Sequence, residues 1–211
     1  MRHEMKRLNY LYLLLMMSSL GLLLSGCLIK PARVPTRHFV LAPIPAPEHA
    51  PTTAQPLAIE VGFVKMPSYL LRDSMVVRKS ADEVVYFEAA LWAERLDHSF
   101  QQTLVQNLSM LLASDQACLS VSERDRLVVR VSVNVEQLDV DTEGRGTLLA
   151  EWRLTVAGAD EPMKIGQTRL TRPGPAPCGN PQAIATTLST LVAEFSRDLA
   201  PALREPAQTR R

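Results

Sequence analysis

Two stretches of the chain repeat apolar residues at every third or fourth position, which is the spacing of an amphipathic helix with one buried face. They cover residues 94–113 and residues 181–200. Asn180 is a favourable N-cap for the second stretch, Pro181 suits a first helical turn, and Pro201 is expected to end the helix. The apolar positions are Leu96, Phe100, Leu104, Leu108 and Leu111 in the first stretch and Ile184, Leu188, Leu191, Phe195 and Leu199 in the second.

Other stretches alternate apolar and polar residues, as strands with one buried side do. The clearest are residues 127–135 and 148–156, and the polar, turn-prone segment 139–146 between them predicts a hairpin. Weaker strand patterns cover residues 57–64, 75–78, 84–87 and 164–171, with a turn at Ala81-Asp82. The order strands, helix, strands, helix predicts one α+β domain with a mainly antiparallel sheet and both helices packed on one face.

The N-terminal residues have the organisation of an export signal. Arg2, Lys6 and Arg7 precede an uncharged apolar run over residues 10–24. This run is shorter than the ~20 residues that a helix needs to cross a bilayer. A secretory signal peptide over residues 1–26 is therefore expected, and a permanent membrane-spanning anchor is the alternative.

Residues 24–27 read Leu-Ser-Gly-Cys directly after this run. The pattern resembles the lipobox of bacterial lipoproteins, in which the Cys thiol receives a diacylglycerol and the signal is cleaved before the Cys. The resemblance implies covalent diacylglycerol and palmitate on Cys27, and a chance or buried cysteine is the alternative. Several acyl chains hold a protein durably on a membrane, because each buried CH₂ contributes about 0.8 kcal/mol.

The charge balance gives no second means of holding a membrane. The whole chain carries 23 basic and 22 acidic residues, and loss of the signal, which removes three of the basic and one of the acidic residues, leaves a net charge of −1. Neither balance suits electrostatic binding of nucleic acid or of an anionic bilayer. In the lipoproteins that the N-terminus resembles, Asp after the lipidated Cys favours the inner membrane. Leu28 at that position therefore points to the outer membrane of a Gram-negative envelope, facing the periplasm.

A proline-rich segment separates the anchor from the strands and helices. Seven of the 15 prolines lie between Lys30 and Pro56, which favours extended structure. Within the segment, Phe39-Val40-Leu41 is a β-prone island suited to a sheet edge, and the free tether before it reaches at most roughly 35 Å at ~3.1 Å per residue. The expected organisation is a signal peptide at 1–26, a lipidated tether at 27–56, an α+β domain at 57–204 and a frayed tail at 205–211.

Two cysteines remain once Cys27 is lipidated. Because the periplasm is oxidising, a disulfide between Cys118 and Cys178 is one hypothesis. It would close a loop of about 60 residues and contribute on the order of 4 kcal/mol on the chain-entropy model. Two separate buried thiols are the alternative, since spacing in sequence does not fix the distance between the sulfurs.

Patterns for catalysis or metal binding are weak. Residues 139–144 resemble the start of an EF-hand loop, but the twelfth position is Ala150, where a bidentate Glu is required. His98 lies beside Asp97 on the predicted helix, without the nucleophile or second histidine that acid–base chemistry would use. The sequence has no phosphate-cradling glycine loop. We therefore expect no metal site, no cofactor other than the lipid, and no enzymatic activity.

Three motifs carry a family resemblance. Residues 66–72 read Met-Pro-Ser-Tyr-Leu-Leu-Arg, residues 75–78 Met-Val-Val-Arg, and residues 92–96 Trp-Ala-Glu-Arg-Leu. With the lipobox and the order of strands and helices, they resemble the ABC-type transport auxiliary lipoproteins, the PqiC-like family, over nearly all of the mature chain. Arg95 stands where the family usually has Pro, and Asp73-Ser74 stands where Pro-Gln is frequent.

The resemblance implies a partner protein without chemistry of its own. The family motif maps to Pro67, Tyr69, Leu70 and Trp92, as interface or structural positions. Members are similar to outer-membrane partners of MCE-domain tunnels and ABC transporter subunits that move lipids across the periplasm, and they can assemble as homo-oligomeric rings. The leading hypothesis is an anchored docking adaptor that supports lipid trafficking and envelope integrity. The alternative is a direct periplasmic lipid carrier, which needs an internal apolar cavity of roughly 300–1,000 Å³; a periplasmic hydrolase is disfavoured.

Overall fold

A computed structural model describes residues 13–16, 35–45, 57–112, 117–118 and 127–208. The chain divides into two compact units, Met1–Pro35 and Thr36–Arg211. In the first unit, the described residues are a helical turn at 13–16 and Pro35. None of the helices within these described ranges has both the length and the apolarity needed to cross a membrane. The rest of the predicted signal peptide, and Cys27, lie outside the described residues.

One eight-stranded sheet forms the centre of the second unit. The strands lie in the order β1-β4-β3-β6-β2-β5, in which β3 and β2 pair with different ends of one edge of β6. β7 pairs with the opposite edge of β6, and β8 pairs with β7. The long strand β6 therefore joins all parts of the sheet. The strand bounds are β1 Arg37–Phe39, β2 Leu57–Lys65, β3 Ser74–Arg78, β4 Val84–Trp92, β5 Ala117–Cys118, β6 Leu127–Asp141, β7 Gly146–Val156 and β8 Lys164–Arg172.

Strand pairing is partly parallel, while the predicted α+β class is confirmed. β6 pairs antiparallel with β7 along most of its length, and β8 continues antiparallel from β7. The other edge of β6 is shared by two parallel strands, β2 toward its N-terminal end and β3 at its C-terminal end. Parallel pairing of β2 with β6 is possible because the chain between them is long enough to cross over, whereas a short hairpin can join only antiparallel strands.

Two helices cover one side of the sheet, which we call the inner face. α1 (Leu96–Leu111) packs chiefly against β2, and α2 (Pro181–Gln208) packs against β6, β7 and β8. Their predicted apolar sides meet, since the rings of Phe100 and Phe195 are fully buried with centroids 5.8 Å apart. The opposite side of β2, β6, β7 and β8, which we call the outer face, carries exposed polar residues such as Arg130, Ser132 and Asn134.

Helix α2 continues through Pro201, so the predicted end before this residue is wrong. Proline inside a helix removes one backbone hydrogen bond and clashes with the preceding turn. The residues beyond it nevertheless extend the buried side, since Leu203 is fully buried. Arg204 Nη2 also donates a hydrogen bond of 2.8 Å to the carbonyl of Leu111 at the end of α1. These tertiary contacts hold the last turns in helical form.

The predicted hairpins and edge strand are present, but one turn is shorter than expected. Between β3 and β4, the Lys79 N–H donates to the Glu83 carbonyl at 2.9 Å. The edge strand begins earlier than the predicted island at residues 39–41: β1 covers Arg37–Phe39 and pairs parallel to β4 at a sheet edge, and Val40 and Leu41 lie beyond it. Of the predicted turn segment 139–146, only the residues after Asp141 and before Gly146 form the turn between β6 and β7.

Candidate functional site

The family motif at residues 66–72 forms the connection between β2 and β3, which we call the motif turn. Ser68–Leu70 is one turn of 3-10 helix, in which the Leu70 N–H donates to the Pro67 carbonyl at 3.0 Å. Leu70 is buried in the hydrophobic core. Pro67 therefore starts a turn whose function in the fold is to insert Leu70 among core side chains.

Tyr69 leaves the same turn toward a buried carboxylate on β6. The Asp139 side chain is 2% exposed. Its Oδ2 accepts hydrogen bonds from Tyr69 Oη at 3.0 Å and from Arg78 Nε and Nη2 at 2.8 and 2.6 Å, and its Oδ1 accepts one from Gln137 Nε2 at 2.9 Å. Charge-assisted hydrogen bonds are strong where water is excluded. This Asp139 cluster fixes the motif turn to the middle of the sheet.

The phenol of Tyr69 gives a spectroscopic probe of the Asp139 cluster. Burial first, and then the charge of Asp139, raise the pKa of Tyr69 from 10.0 to about 12. Because the raised pKa favours the neutral phenol in the folded state, its stabilising effect is complete below pH 10.0 and is lost as the pH rises toward about 12. Tyrosinate absorbance of the folded protein should show a step near pH 12 that Tyr69→Phe removes. Removal of a step near pH 10 instead would contradict the burial of this phenol.

Trp92, the second motif position, joins three segments of the core. Its side chain is buried, and its backbone N–H donates to the Asp73 carbonyl at 2.7 Å. The next residue, Ala93, donates its N–H to the Phe39 carbonyl at 2.8 Å, which ties the end of β4 to the end of β1. The positions of Leu70 and Trp92 favour the structural alternative for these two motif residues.

Residues 40–45 cross the two helices without regular secondary structure, and we call them the strap. Pro43 and Pro45 cannot donate backbone hydrogen bonds. Three of the remaining backbone N–H groups donate hydrogen bonds to side-chain oxygens of the helices, and these bonds hold the strap in place. The bonds run from Leu41 to Ser99 Oγ at 3.4 Å, from Ala42 to Ser189 Oγ at 3.0 Å and from Ile44 to Asn107 Oδ1 at 2.8 Å. The segment that follows the predicted free tether is thus fixed on the helix layer.

The structure describes the three cysteines with predicted roles only in part. Cys178 lies on the surface, where its side chain is exposed. Cys118 lies in β5, but its side chain, like all of Cys27, is outside the described residues. Lipidation of Cys27 and a disulfide between Cys118 and Cys178 therefore stay predictions.

The carboxylates of the EF-hand-like segment have other partners. Asp139 belongs to the cluster with Tyr69 and Arg78, and Asp141 Oδ1 accepts the backbone N–H groups of Glu143 and Arg145 at 3.0 and 2.8 Å. Asp141 therefore stabilises a tight turn, as Asx residues commonly do. Within the described ranges, no three side chains of metal-ligating type come together.

Asp97 and His98 likewise form a helix start. Arg95, hydrogen-bonded to Asp97 at 2.8 Å, lowers the pKa of this carboxyl. Asp97 Oδ1 also accepts the backbone N–H of His98 at 3.0 Å. A carboxylate in the first turn of a helix satisfies free N–H groups and favours the helix dipole. This geometry gives the Asp97 carboxylate a structural role at the start of the helix.

Surface hollows lie at several places in the described part of the chain, and three of them are considered for ligand binding. One of about 520 Å³ lies on the outer face beside Phe63, one of about 320 Å³ lies between the strap and α2, and one of about 450 Å³ lies between the two hairpin turns near Arg78. All three are open to solvent. The direct-carrier alternative calls for an internal apolar cavity, and these open hollows lend it no support.

Sequence reasoning missed two residues that organise the outer face. Asp139 was expected in a polar turn, but it lies in β6 between Leu138 and Val140, which are both fully buried. The pattern of residues 57–64 places Phe63 in a strand but does not show which face its side chain occupies. In the structure this side chain is 84% exposed. The alternation of residues 127–135 gave no signal for Asp139, because the register of β6 with β7 shifts between Val135 and Gln137 and the buried apolar positions then become Leu138 and Val140.

Comparison with known proteins identifies the architecture. The family described as ABC-type transport auxiliary lipoprotein component matches residues 39–200. A crystal structure of an uncharacterized protein is 20% identical with a TM-score of 0.64, over 80% of this chain and 99% of that one. A Xanthomonas campestris protein of the DUF330 family is 14% identical with a TM-score of 0.58, over 79% of this chain and 93% of that one. No curated protein matches this chain.

Both solved structures share the fold at low identity. The family match covers the strap, the motif turn, the Asp139 cluster and most of α2, which are the features that hold the domain together. Its extent agrees with the resemblance carried by residues 66–72, 75–78 and 92–96. From β1 to the last turns of α2, this chain is a member of the ABC-type transport auxiliary lipoprotein family.

Proposed function

We propose that this protein is a membrane-moored docking adaptor of an ABC-type transport system. The family match over residues 39–200 carries the proposal, since it associates the whole folded domain with such a system. The chain would act by binding a transport subunit, and it would use no cofactor beyond its own lipid.

Lipidated Cys27 would hold the protein on the outer membrane, facing the periplasm. The lipobox at residues 24–27 supports the anchor, and Leu28 after the Cys supports the outer-membrane choice. The strap supports a mechanical link, since residues 41–44 are hydrogen-bonded to both helices. A domain fixed at that end cannot leave the membrane by more than the length of the tether.

The partner would be an MCE-domain protein or ABC transporter subunit, and the cargo would be lipid. The resemblance of residues 66–72 and 92–96 to the PqiC-like family supports both statements. It also supports assembly of the adaptor as a homo-oligomeric ring. Transport of lipid through such a system would explain a contribution to envelope integrity.

Replacing Cys27 by Ala should abolish lipid labelling. Cells fed an alkyne analogue of palmitate should label the unaltered protein and leave Cys27→Ala unlabelled, because this thiol is the proposed acceptor. Cys178→Ala is the matched control, since it removes an exposed thiol elsewhere and should leave labelling unchanged. Persistent label on Cys27→Ala would overturn the anchor.

Crosslinked envelopes test the partner. A tagged full-length chain should recover an ABC transporter subunit or an MCE-domain protein, identified by mass spectrometry. Recovery should fall when residues 1–27 are replaced by a cleavable signal that directs no lipidation, because the domain is then no longer concentrated at the membrane. Absence of any transport component from the lipidated form would count against the function.

A further inference from the structure

A row of side chains crosses four strands on the outer face, and it ends in two exposed apolar groups. Ser132 of β6 lies opposite Arg153 of β7, and Arg153 lies opposite Ile165 of β8. At the other end Phe63 of β2 lies opposite Ser132, where the register shifts. Phe63 is 84% exposed and Ile165 is 59% exposed. We call the surface formed by Phe63, Lys65, Ser132, Arg153 and Ile165 the Phe63 patch.

A β-bulge turns Phe63 outward. The pairing of β2 with β6 shifts between Val61 and Val64, and both valines are buried. Simple alternation from Val61 would bury residue 63 and expose residue 64. The extra residue reverses this order, which sends Phe63 to the outer face and Val64 to the core. Bulges often redirect a side chain near a functional surface.

A buried helix side chain stabilises the bulge. Gln101 of α1 donates through Nε2 to the carbonyls of Val61 at 2.8 Å and of Gly62 at 3.0 Å. A bulge disrupts the ladder and leaves backbone groups in need of partners. The outward position of Phe63 is therefore fixed from the inner face of the sheet, although exposing an aromatic side chain forgoes the free energy of burying it.

The charges around Phe63 are of both signs and have no partners among the described residues. The hollow of about 520 Å³ beside the ring is lined by the cations Lys65 and Arg153 and by the anions Glu151 and Asp160. None of the four makes an ion pair or a side-chain hydrogen bond within the described part of the chain. An anionic membrane or a nucleic acid would call for a net positive surface. A protein surface with the opposite order of charges complements this one.

The chemistry of the patch is that of a protein–protein interface. Aromatic residues and Arg are enriched at the centres of such interfaces, and a polar rim surrounds them. The strap leaves this surface free, because its hydrogen bonds are to helices on the inner face. The membrane link and the Phe63 patch therefore lie on different layers of the domain.

We propose that the Phe63 patch is the docking surface for a protein subunit of the transport system. The partner would supply an apolar pocket for the Phe63 ring, with a carboxylate facing Arg153 or Lys65 and a basic group facing Glu151 or Asp160. This inference rests on the proposed function, and it adds the surface and the chemistry of the partner. Gln101 acts in it as a positioning residue for Phe63.

Photocrosslinking in living cells tests the docking surface. Benzoylphenylalanine at position 63 of the full-length chain should capture an identified ABC transporter or MCE-domain subunit. The same probe at Val40, which is 58% exposed on the strap, is the matched control and should capture none. Phe63→Ser should weaken recovery of that subunit at least about tenfold, as loss of a central aromatic contact does, while Val40→Ser leaves it unchanged.

The outcomes separate this inference from the proposed function. If the subunit is recovered by general crosslinking but position 63 captures nothing, or if Phe63→Ser binds as well as Val40→Ser, the Phe63 patch is overturned and the adaptor function stands. If no transport component is recovered by any route, the adaptor function itself fails. Unchanged unfolding of Phe63→Ser in urea would show that its loss of binding is not a loss of fold.

Discussion

Replacing Asp139 by Ala should destabilise the folded domain by about 3 kcal/mol. The carboxylate is 2% exposed and accepts hydrogen bonds from Arg78, Tyr69 and Gln137. Its loss leaves the Arg78 guanidinium and the Tyr69 hydroxyl without their acceptor in a partly buried site. Breaking a buried pair costs roughly 3–5 kcal/mol, and the lower end is expected because Arg78 is 24% exposed. Urea unfolding of a chain lacking the signal measures this loss.

Two further variants serve as controls for the loss of stability expected in Asp139→Ala. Glu143→Ala removes a carboxylate that is 79% exposed and whose ion pair with Arg145 is long, at 3.8 Å. Because such exposed pairs contribute little, this variant should leave stability unchanged. Asp139→Asn keeps the shape and one acceptor oxygen but removes the charge, and its loss should be intermediate. If Asp139→Ala unfolds at the same urea concentration as Glu143→Ala, the cluster does not hold the motif turn.

Replacing Gly144 by Ala should destabilise the domain by about 3 kcal/mol. Gly144 has φ of +93° in the turn between β6 and β7, a conformation that L-residues rarely adopt. A Cβ would also lie against the carbonyl oxygens of Gly174 and Pro175, 2.5 Å from the latter. Both obstacles are backbone atoms, which cannot rotate away as a side chain can. The midpoint of urea unfolding should fall accordingly.

A matching substitution at Gly158 distinguishes the cost of the positive φ from the cost of the steric overlap at Gly144. It has φ of +82°, but a Cβ there would meet nothing within 4 Å. Gly158→Ala should therefore show only the conformational strain, about 1 kcal/mol. Equal losses for the two variants would mean that the loop at Gly174 and Pro175 does not press on the turn.

The helices were predicted well because their signal is local. Leu96, Phe100, Leu104 and Leu108 repeat every four residues, and each is at most 1% exposed. The same pattern located α2 from Pro181, and it failed only at its end. There Leu203 and Arg204 make contacts across the fold that outweigh the helix-breaking tendency of Pro201.

The Asp139 cluster was not predictable from neighbouring residues. Asp139 lies near Gly144 and Gly146 in a polar segment, and Asp and Gly are both common in turns, so the local sequence predicts a turn. Its partners Tyr69 and Arg78 are 70 and 61 positions away in sequence. The motif made Tyr69 conspicuous, but no periodicity connects it with β6.

Strand periodicity likewise identified which residues are buried but not which strands are neighbours. Alternation in residues 127–135 is satisfied equally by parallel and antiparallel partners. The bulge in β2 has a similar origin, because Gln101 of α1 donates hydrogen bonds to the carbonyls of Val61 and Gly62. The direction of Phe63 follows from that contact.

Periodicity along the chain was enough to assign the α+β class and most of the buried positions, since each depends on residues within a few turns of one another. The order of strands around β6, the burial of Asp139 and the exposure of Phe63 came from contacts between distant segments. Such contacts are chosen by packing of the whole domain, where local preferences of about 1 kcal/mol are outweighed by burial and by buried hydrogen bonds. The candidate docking surface belongs to this second group, because a single added residue in β2 decides which side chain faces the partner.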